Sequence, residues 1–159
     1  MNARIGLGFD IHRLVPGRPC LLAGVLLDHE RGPAGHSDGD AVLHAVTDSL
    51  LGAAGLDDLG TLFPDTDERW RGADSAELLR AGLELVRGAG FDVVNIDVVV
   101  ATEGPRIAPA RAAMRARLAE LLGIDVSATN IKGKTLEGLT DLAREGAVAV
   151  QAVCLLSGG

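Results

Sequence analysis

The sequence predicts an α+β fold: a mixed sheet with helices packed on one face, in a single domain. Three observations predict it. The chain has 159 residues, about the length of one domain and enough to bury a core without staples. Its apolar stretches are of two kinds, short Val- and Ile-rich runs of strand length and longer amphipathic runs at helical spacing, and the two kinds alternate. No internal repeat, low-complexity tract or linker divides it.

Residues 4–12 read as a strand of mixed polarity. Residues 20–22 and 25–27 flank Ala23-Gly24 and predict a short hairpin or bulged strand. Residues 38–53 carry Val42, Val46, Leu50 and Ala53 at helical spacing, with Ser37 as N-cap and Gly52 or Gly55 at the stop. Residues 56–72 read as a long polar loop broken by Gly60 and Pro64. A second helix is expected over 75–87, ending at Gly88 and Gly90. Residues 91–101 are rich in Val and Ile, as a buried strand is. Residues 109–122 predict a third helix closed by Gly123, and strands follow at 129–134 and 147–156.

Composition narrows the function. Lys and Arg number 15 against 22 Asp and Glu, a net charge of −7, which argues against nucleic acid, because the phosphate backbone is bound by a positive stripe. No apolar run approaches the ~20 residues that cross a bilayer, so no membrane partner is expected. No signal-peptide stretch precedes the first strand, and Cys20 and Cys154 lie in apolar surroundings. Both features suit a cytoplasmic protein with reduced thiols.

Five segments carry chemistry. In Asp10-Ile11-His12 the outer two residues point to one face of a strand, ~6.6 Å apart at the backbone, and so converge on one ion. An ordinary surface hydrogen bond is the competing reading of so short a motif. The second segment runs from His36-Ser37-Asp38-Gly39-Asp40 to His44 and Asp48. Asp40, His44 and Asp48 share a helical face, a pattern in which a carboxylate one turn away orients the free nitrogen of a metal-bound imidazole. For Asp38 and Asp40, a helix start favoured by its dipole accounts for the residues equally well. His36 and His44 are ~12 Å apart along a helix axis, too far to share an ion. His44 is therefore the ligand candidate, and His36 is left to hydrogen bonding or phosphate contact. Asp10, His12 and His44 together leave a fourth position open, as in a working rather than a structural zinc. The third segment is the acidic loop 57–67; the fourth, Thr102-Glu103-Gly104-Pro105-Arg106-Ile107-Ala108-Pro109; the fifth, Lys132-Gly133-Lys134-Thr135-Leu136-Glu137. In the last two, Arg, Lys and Thr suit phosphate, and Glu137 suits a hard divalent cation bridging phosphates.

Together these segments resemble the 2-C-methyl-D-erythritol 2,4-cyclodiphosphate synthase family over nearly the whole chain. The likeness rests on Arg4 through His12, His36-Ser37-Asp38-Gly39-Asp40 through His44, and Asp58-Leu59-Gly60 through Phe63-Pro64-Asp65-Thr66-Asp67. It implies a ferredoxin-like fold and a homotrimer with sites between subunits. It also implies zinc on Asp10, His12 and His44, and magnesium or manganese on Glu137. Ser37, Asp58, Leu59, Gly60, Phe63 and Asp65 would line the ribose and methylerythritol site. Thr102, Pro105, Arg106, Ile107 and Ala108, with Gly133, Lys134 and Thr135, would hold the cytidine and its phosphates, and His36 and Thr135 would be catalytic. The implied reaction converts 4-diphosphocytidyl-2-C-methyl-D-erythritol 2-phosphate to the cyclic diphosphate and CMP. The chain departs from the family at Thr140-Asp141-Leu142-Ala143-Arg144-Glu145-Gly146, where a Gly-Phe-Thr-Gly-Arg-Gly-Glu-Gly run is usual; there Arg144 stands for the family's arginine. Leu136 replaces a common threonine. A zinc hydrolase, with Asp40 or Asp65 as base, and a structural metal module are the rival readings.

Overall fold

The computed structural model describes residues 2–64 and 66–159; Asp65, expected in the substrate site, lies outside them. Strands β1 (Asn2–Pro16), β4 (Arg31–Pro33), β5 (Phe91–Thr102), β6 (Thr129–Lys134) and β7 (Ala147–Gly158) form one mixed sheet in the order β4-β1-β7-β5-β6. A separate hairpin joins β2 (Cys20–Leu22) to β3 (Val25–Leu27). The α+β architecture is the one expected. The last strand lies at the centre, antiparallel to β1 and β5, while β5 and β6 run parallel.

Helices α1 (Ala41–Ala54), α3 (Ser75–Gly88) and α4 (Arg111–Leu122) cover one face. Alternation makes this possible: Val148, Val150, Ala152, Cys154 and Leu156 of β7 are buried, as are Ile96, Val98 and Val100 of β5. Strand β1 inverts the usual pattern. Its helix-facing positions include Gly6 and Gly8, where an added Cβ would stand 1.9 Å from the Ser49 carbonyl oxygen and 1.8 Å from that of Ala45. Only glycine lets α1 lie this close to the strand. On the opposite face Ile5, Leu7, Phe9 and Ile11 are 76%, 66%, 53% and 39% exposed, since α1, α3 and α4 pack on the other side; Leu142 shares a small cavity with Ile11. The mixed polarity of the strand in sequence therefore reflects an open apolar face and a helix face of glycines followed by Asp10 and His12.

Helix α1 begins at Asp40, not at Ser37: the Asp40 side chain accepts from the Val42 and Leu43 N–H groups. Its C-cap is Gly55, left-handed at φ 75°. The expected polar loop contains a short helix, α2 (Leu59–Leu62), and a 3₁₀ turn (Glu68–Trp70). Asp58 caps the first by accepting from the Thr61 N–H at 2.7 Å, and Asp67 caps the second by accepting from that of Arg69 at 3.0 Å. Two further elements lie outside the sequence expectations: β4, three residues that pair with Leu14–Pro16 of β1, and α5 (Asp141–Glu145), capped by Thr140 and Gly146. Among the described residues no helix is long and apolar enough to cross a membrane.

Candidate functional site

Because Gly6 and Gly8 draw α1 onto β1, the next two residues of the same face, Asp10 and His12, meet the first turn of α1. His44 stands there, directly before Ala45. Asp10 Oδ2 lies 2.8 Å from His12 Nε2 and 3.0 Å from His44 Nδ1, and the two ring nitrogens are 3.4 Å apart. Donors in a tetrahedral zinc shell are separated by about 3.3 Å when the metal bonds are about 2.0–2.1 Å. The three atoms match that spacing to within about half an ångström. Among the described residues this is the one group of three such side chains placed to hold an ion. The rings are held from behind as metal ligands are. His12 donates through Nδ1–H to the Ala34 carbonyl, and His44 Nε2 lies 2.9 Å from Ser75 Oγ and 3.2 Å from Ser37 Oγ.

Charge follows from this packing. Burial pushes the Asp10 carboxyl up, but the two imidazoles outweigh it and hold the group well below the usual carboxylate range. Burial draws His12 down, yet the hydrogen bond and charge of Asp10 raise it above its ordinary 6.5. Neither Asp40 nor Asp48 orients the His44 ring, against the expectation from their spacing. The fully buried Asp40 carboxylate accepts from the N–H groups of Ala23, Gly24, Val42 and Leu43. That network leaves it no access to a reacting water, so the base of the hydrolase reading is lost at that residue. Asp48 accepts from the Leu59 N–H at 2.8 Å and ties α2 to α1.

A cavity of about 260 Å³ opens beside the cluster, lined by His12, His44, His36, Ser37, Leu59 and Phe63 together with Gly35, Trp70 and Leu78. His36 Nε2 and Trp70 Nε1 are buried there without a partner. Phe63 and Trp70 meet edge to face, their ring centroids 5.1 Å apart. Arg18 fixes the loop by donating to the Ser37 and Gly35 carbonyls. Asp58 and Gly60 sit on the exposed start of α2 and do not line this cavity.

A second cavity, of about 360 Å³, is lined by Thr102, Pro105, Arg106, Ile107, Ala108, Gly133, Lys134 and Thr135, with Glu103 and Arg111 added. The two sequence segments predicted to act together thus do meet, where β5 and β6 end side by side. Gly133 is required: a Cβ there would lie 2.8 Å from that of Ile107. The Thr102 hydroxyl is held between the Gly104 and Ala147 carbonyls, so it shapes the loop. Glu103 accepts from the Leu136 and Gly138 N–H groups and ties the two loops together. Glu137, at φ 53°, is exposed, and its carboxylate accepts from the Thr135 hydroxyl at 2.5 Å. Arg144 pairs with Asp141 at 2.9 Å and lines a third cavity with Leu14, His29 and Arg31, which adjoins the second cavity at Thr102 and Glu103.

Sequence reasoning missed Ser75, Trp70 and Arg111. Ser75 reads in sequence as a helix start, and Trp70 lies in what reads as a solvated loop. Arg111 falls in the first turn of an amphipathic helix, where a cation is unremarked.

The YgbB family model matches residues 3–157. A protein of Aromatoleum aromaticum named 2-C-methyl-D-erythritol 2,4-cyclodiphosphate synthase is 56% identical over 153 residues, covering 96% of this chain and 93% of its own. One of the same name from Laribacter hongkongensis is 53% identical over 156 residues, covering 98% and 96%. A solved 2C-methyl-D-erythritol-2,4-cyclodiphosphate synthase in a CDP-bound form superposes with a TM-score of 0.90 at 42% identity, over 97% of this chain and 100% of that one. The bifunctional IspDF of Campylobacter jejuni superposes at 0.95 with 39% identity over 99% of this chain, which spans 43% of that longer protein. The matched segment takes in both cavities and the three-residue cluster between β1 and α1, and the chain belongs to the YgbB family.

Proposed function

We propose that the protein is a phosphorus–oxygen lyase of isoprenoid-precursor biosynthesis, converting 4-diphosphocytidyl-2-C-methyl-D-erythritol 2-phosphate to 2-C-methyl-D-erythritol 2,4-cyclodiphosphate with release of CMP. The observation that carries this reading is the convergence of Asp10, His12 and His44 in a chain more than half identical to proteins named for that activity. An oxygen of the 2-phosphate forms a bond to the β-phosphorus while the bridge to the α-phosphate breaks, and CMP carries away that bridging oxygen. Asp10, His12 and His44 would hold zinc, and Glu137 would help to hold magnesium or manganese; when bound, these ions would supply Lewis-acid polarisation and charge neutralisation.

The chain's own task is to bring two anions together in line, since phosphoryl transfer asks a protein mainly for positioning. Arg106, Lys134 and Arg111 surround the second cavity and offset the charge of a cytidine diphosphate. Ser37 and the unpartnered His36 Nε2 face the first cavity and bind the phosphate and hydroxyls of the methylerythritol. Thr135 orients Glu137 by its hydrogen bond. No protein base is required, because a phosphate monoester with a second pKa of about 6 is already a nucleophile near neutral pH.

The two cavities share no lining residue, which supports sites assembled between subunits. The uncovered stripe of Ile5, Leu7, Phe9 and Ile11, joined by Val153, supports a homotrimer packed through the open sheet faces. The buried free thiols of Cys20 and Cys154, with burial pushing Cys20 up to about 11, suit a reducing cytoplasm.

The reading is tested by metal analysis of the purified protein combined with CMP release from the named substrate, before and after chelation. We expect zinc near one per chain, loss of CMP release on stripping, and recovery on adding zinc with magnesium. CMP release that survives complete stripping would contradict it.

A further inference from the structure

We propose that Arg18 is a positioning residue: its guanidinium fork clamps residues 35–37, so that His36 and Ser37 meet the substrate at a fixed distance from Asp10, His12 and His44. This rests on the reading in which His36 and Ser37 bind the methylerythritol phosphate. Arg18 lines neither the first cavity nor the second, so it acts through the clamped stretch.

Residues 34–40 form neither helix nor strand, so no ladder of hydrogen bonds fixes their backbone. The carbonyls are held one by one instead. That of Ala34 is hydrogen-bonded to His12 Nδ1, and that of His36 accepts from the Gly72 N–H at 2.8 Å. The Gly35 and Ser37 carbonyls both go to Arg18, whose Nη1 donates at 3.3 Å and Nη2 at 2.9 Å. The ends of the stretch are secured without Arg18. The Ala34 N–H donates to the Arg13 carbonyl at 2.8 Å, and the Asp38 N–H to that of Ala73 at 3.1 Å. The clamp therefore acts on the middle, where His36 and Ser37 stand.

That middle is packed against the cluster. A Cβ on Gly35 would stand 3.2 Å from His12 Cε1, and Ser37 Oγ lies 3.2 Å from His44 Nε2. A shift of the stretch by an ångström would move Ser37 and His36 against the three ligands, and an error of that size costs about 100-fold in rate. Arg18 is itself fixed from behind. A Cβ on Gly32 would stand 2.1 Å from the Pro19 carbonyl oxygen and 2.5 Å from that of Arg18, so its backbone lies directly on β4. Arginine suits the task because its planar fork spans two acceptors at once, whereas an ammonium is a point charge. The Nε is buried without a partner, and the two terminal nitrogens form the clamp.

Arg18→Ala tests this, assayed alone, with millimolar ethylguanidinium, and with ethylammonium as the control of equal charge. The side chain is partly exposed, so a small cation can enter from solvent. We expect zinc content to hold, kcat to fall roughly 10–100-fold with a smaller rise in KM, and CMP affinity to stay unchanged. Ethylguanidinium should restore part of the loss, and ethylammonium should not. Trp70, the only tryptophan, lines the same cavity as His36, and the Gly72 N–H joins its segment to the His36 carbonyl. Its emission should shift in the variant and return with ethylguanidinium. Should Arg18→Ala fail to fold, Arg18→Lys decides: it keeps the charge and loses the fork, and should show the same emission shift and a comparable loss of kcat. Equal rescue by ethylammonium, or full activity in Arg18→Lys, would overturn the proposal, because charge alone would then suffice. So would zinc lost along with activity, or a lower melting temperature with kcat and emission unchanged. Emission is read without substrate, so a wild type that released no CMP would count against the proposed reaction, and Trp70 would still decide the clamp.

Discussion

His44→Ala removes one of three donor atoms that lie within 3.4 Å of one another. The variant should lose zinc and nearly all CMP release while keeping its melting profile, since among the described residues the ring is bonded to the cluster and to two serines. Metal content and activity, measured on one preparation, check this; full zinc with full activity would take His44 out of the site. Asp48→Asn separates the sequence expectation from the structure. Asp48 holds the Leu59 N–H and not the His44 ring, so this change should loosen α2 and raise KM with zinc affinity held. The pH response of metal-free protein follows from His12. Its pKa in the folded state is raised above 6.5 by Asp10, after burial has drawn it down. The stability it contributes is therefore fully present below 6.5 and is lost as pH rises through the higher folded value. Melting temperature should fall across that window, and His12→Gln should flatten the fall. Zinc competes with the same proton, so its affinity should drop as pH is lowered through the same range.

Among the elements, the pairing of β1 with α1 controls both stability and the cluster. Gly8→Ala drives a methyl group to 1.8 Å from the Ala45 carbonyl oxygen, and the helix backbone must move. We expect a loss of about 1–3 kcal/mol in denaturant unfolding, with weaker zinc binding, because the displaced turn carries His44. Unchanged zinc affinity in a destabilised variant would show that the cluster does not depend on this approach. Most elements were legible in the sequence because period and caps agree: residues 75–87, 91–101 and 129–134 differ from α3, β5 and β6 by at most one residue at either end. The metal triad was legible because two ligands lie two apart on a strand and the third sits near a helix start. What was not legible depends on tertiary partners. Strand β4 exists only because β1 pairs with it, and Asp58 and Asp67 of the expected loop are caps whose helices are a turn long. Ser75 approaches His44 only because α3 packs against α1, which no local spacing records.

At the scale of the whole molecule, the open sheet face with Leu7 66% exposed and Phe9 53% exposed is an apolar patch of the kind that marks an interaction surface. If one subunit supplies the His44 half of a site and its neighbour supplies Glu137, then His44→Ala and Glu137→Ala should each be inactive alone and should complement when co-refolded. With random equal mixing in a cyclic trimer, about one quarter of sites hold both intact residues. Size-exclusion chromatography with CMP release on the mixed assemblies checks this, and no recovery in verified mixed trimers would place each site within one chain. The central claim is the reaction itself, and it is met most directly by product analysis in ¹⁸O-labelled water. Intramolecular attack by the 2-phosphate predicts a cyclic diphosphate by ³¹P NMR, equimolar CMP, and no label in either product. A linear diphosphate or phosphate product carrying ¹⁸O would contradict it, because water would then have been the nucleophile.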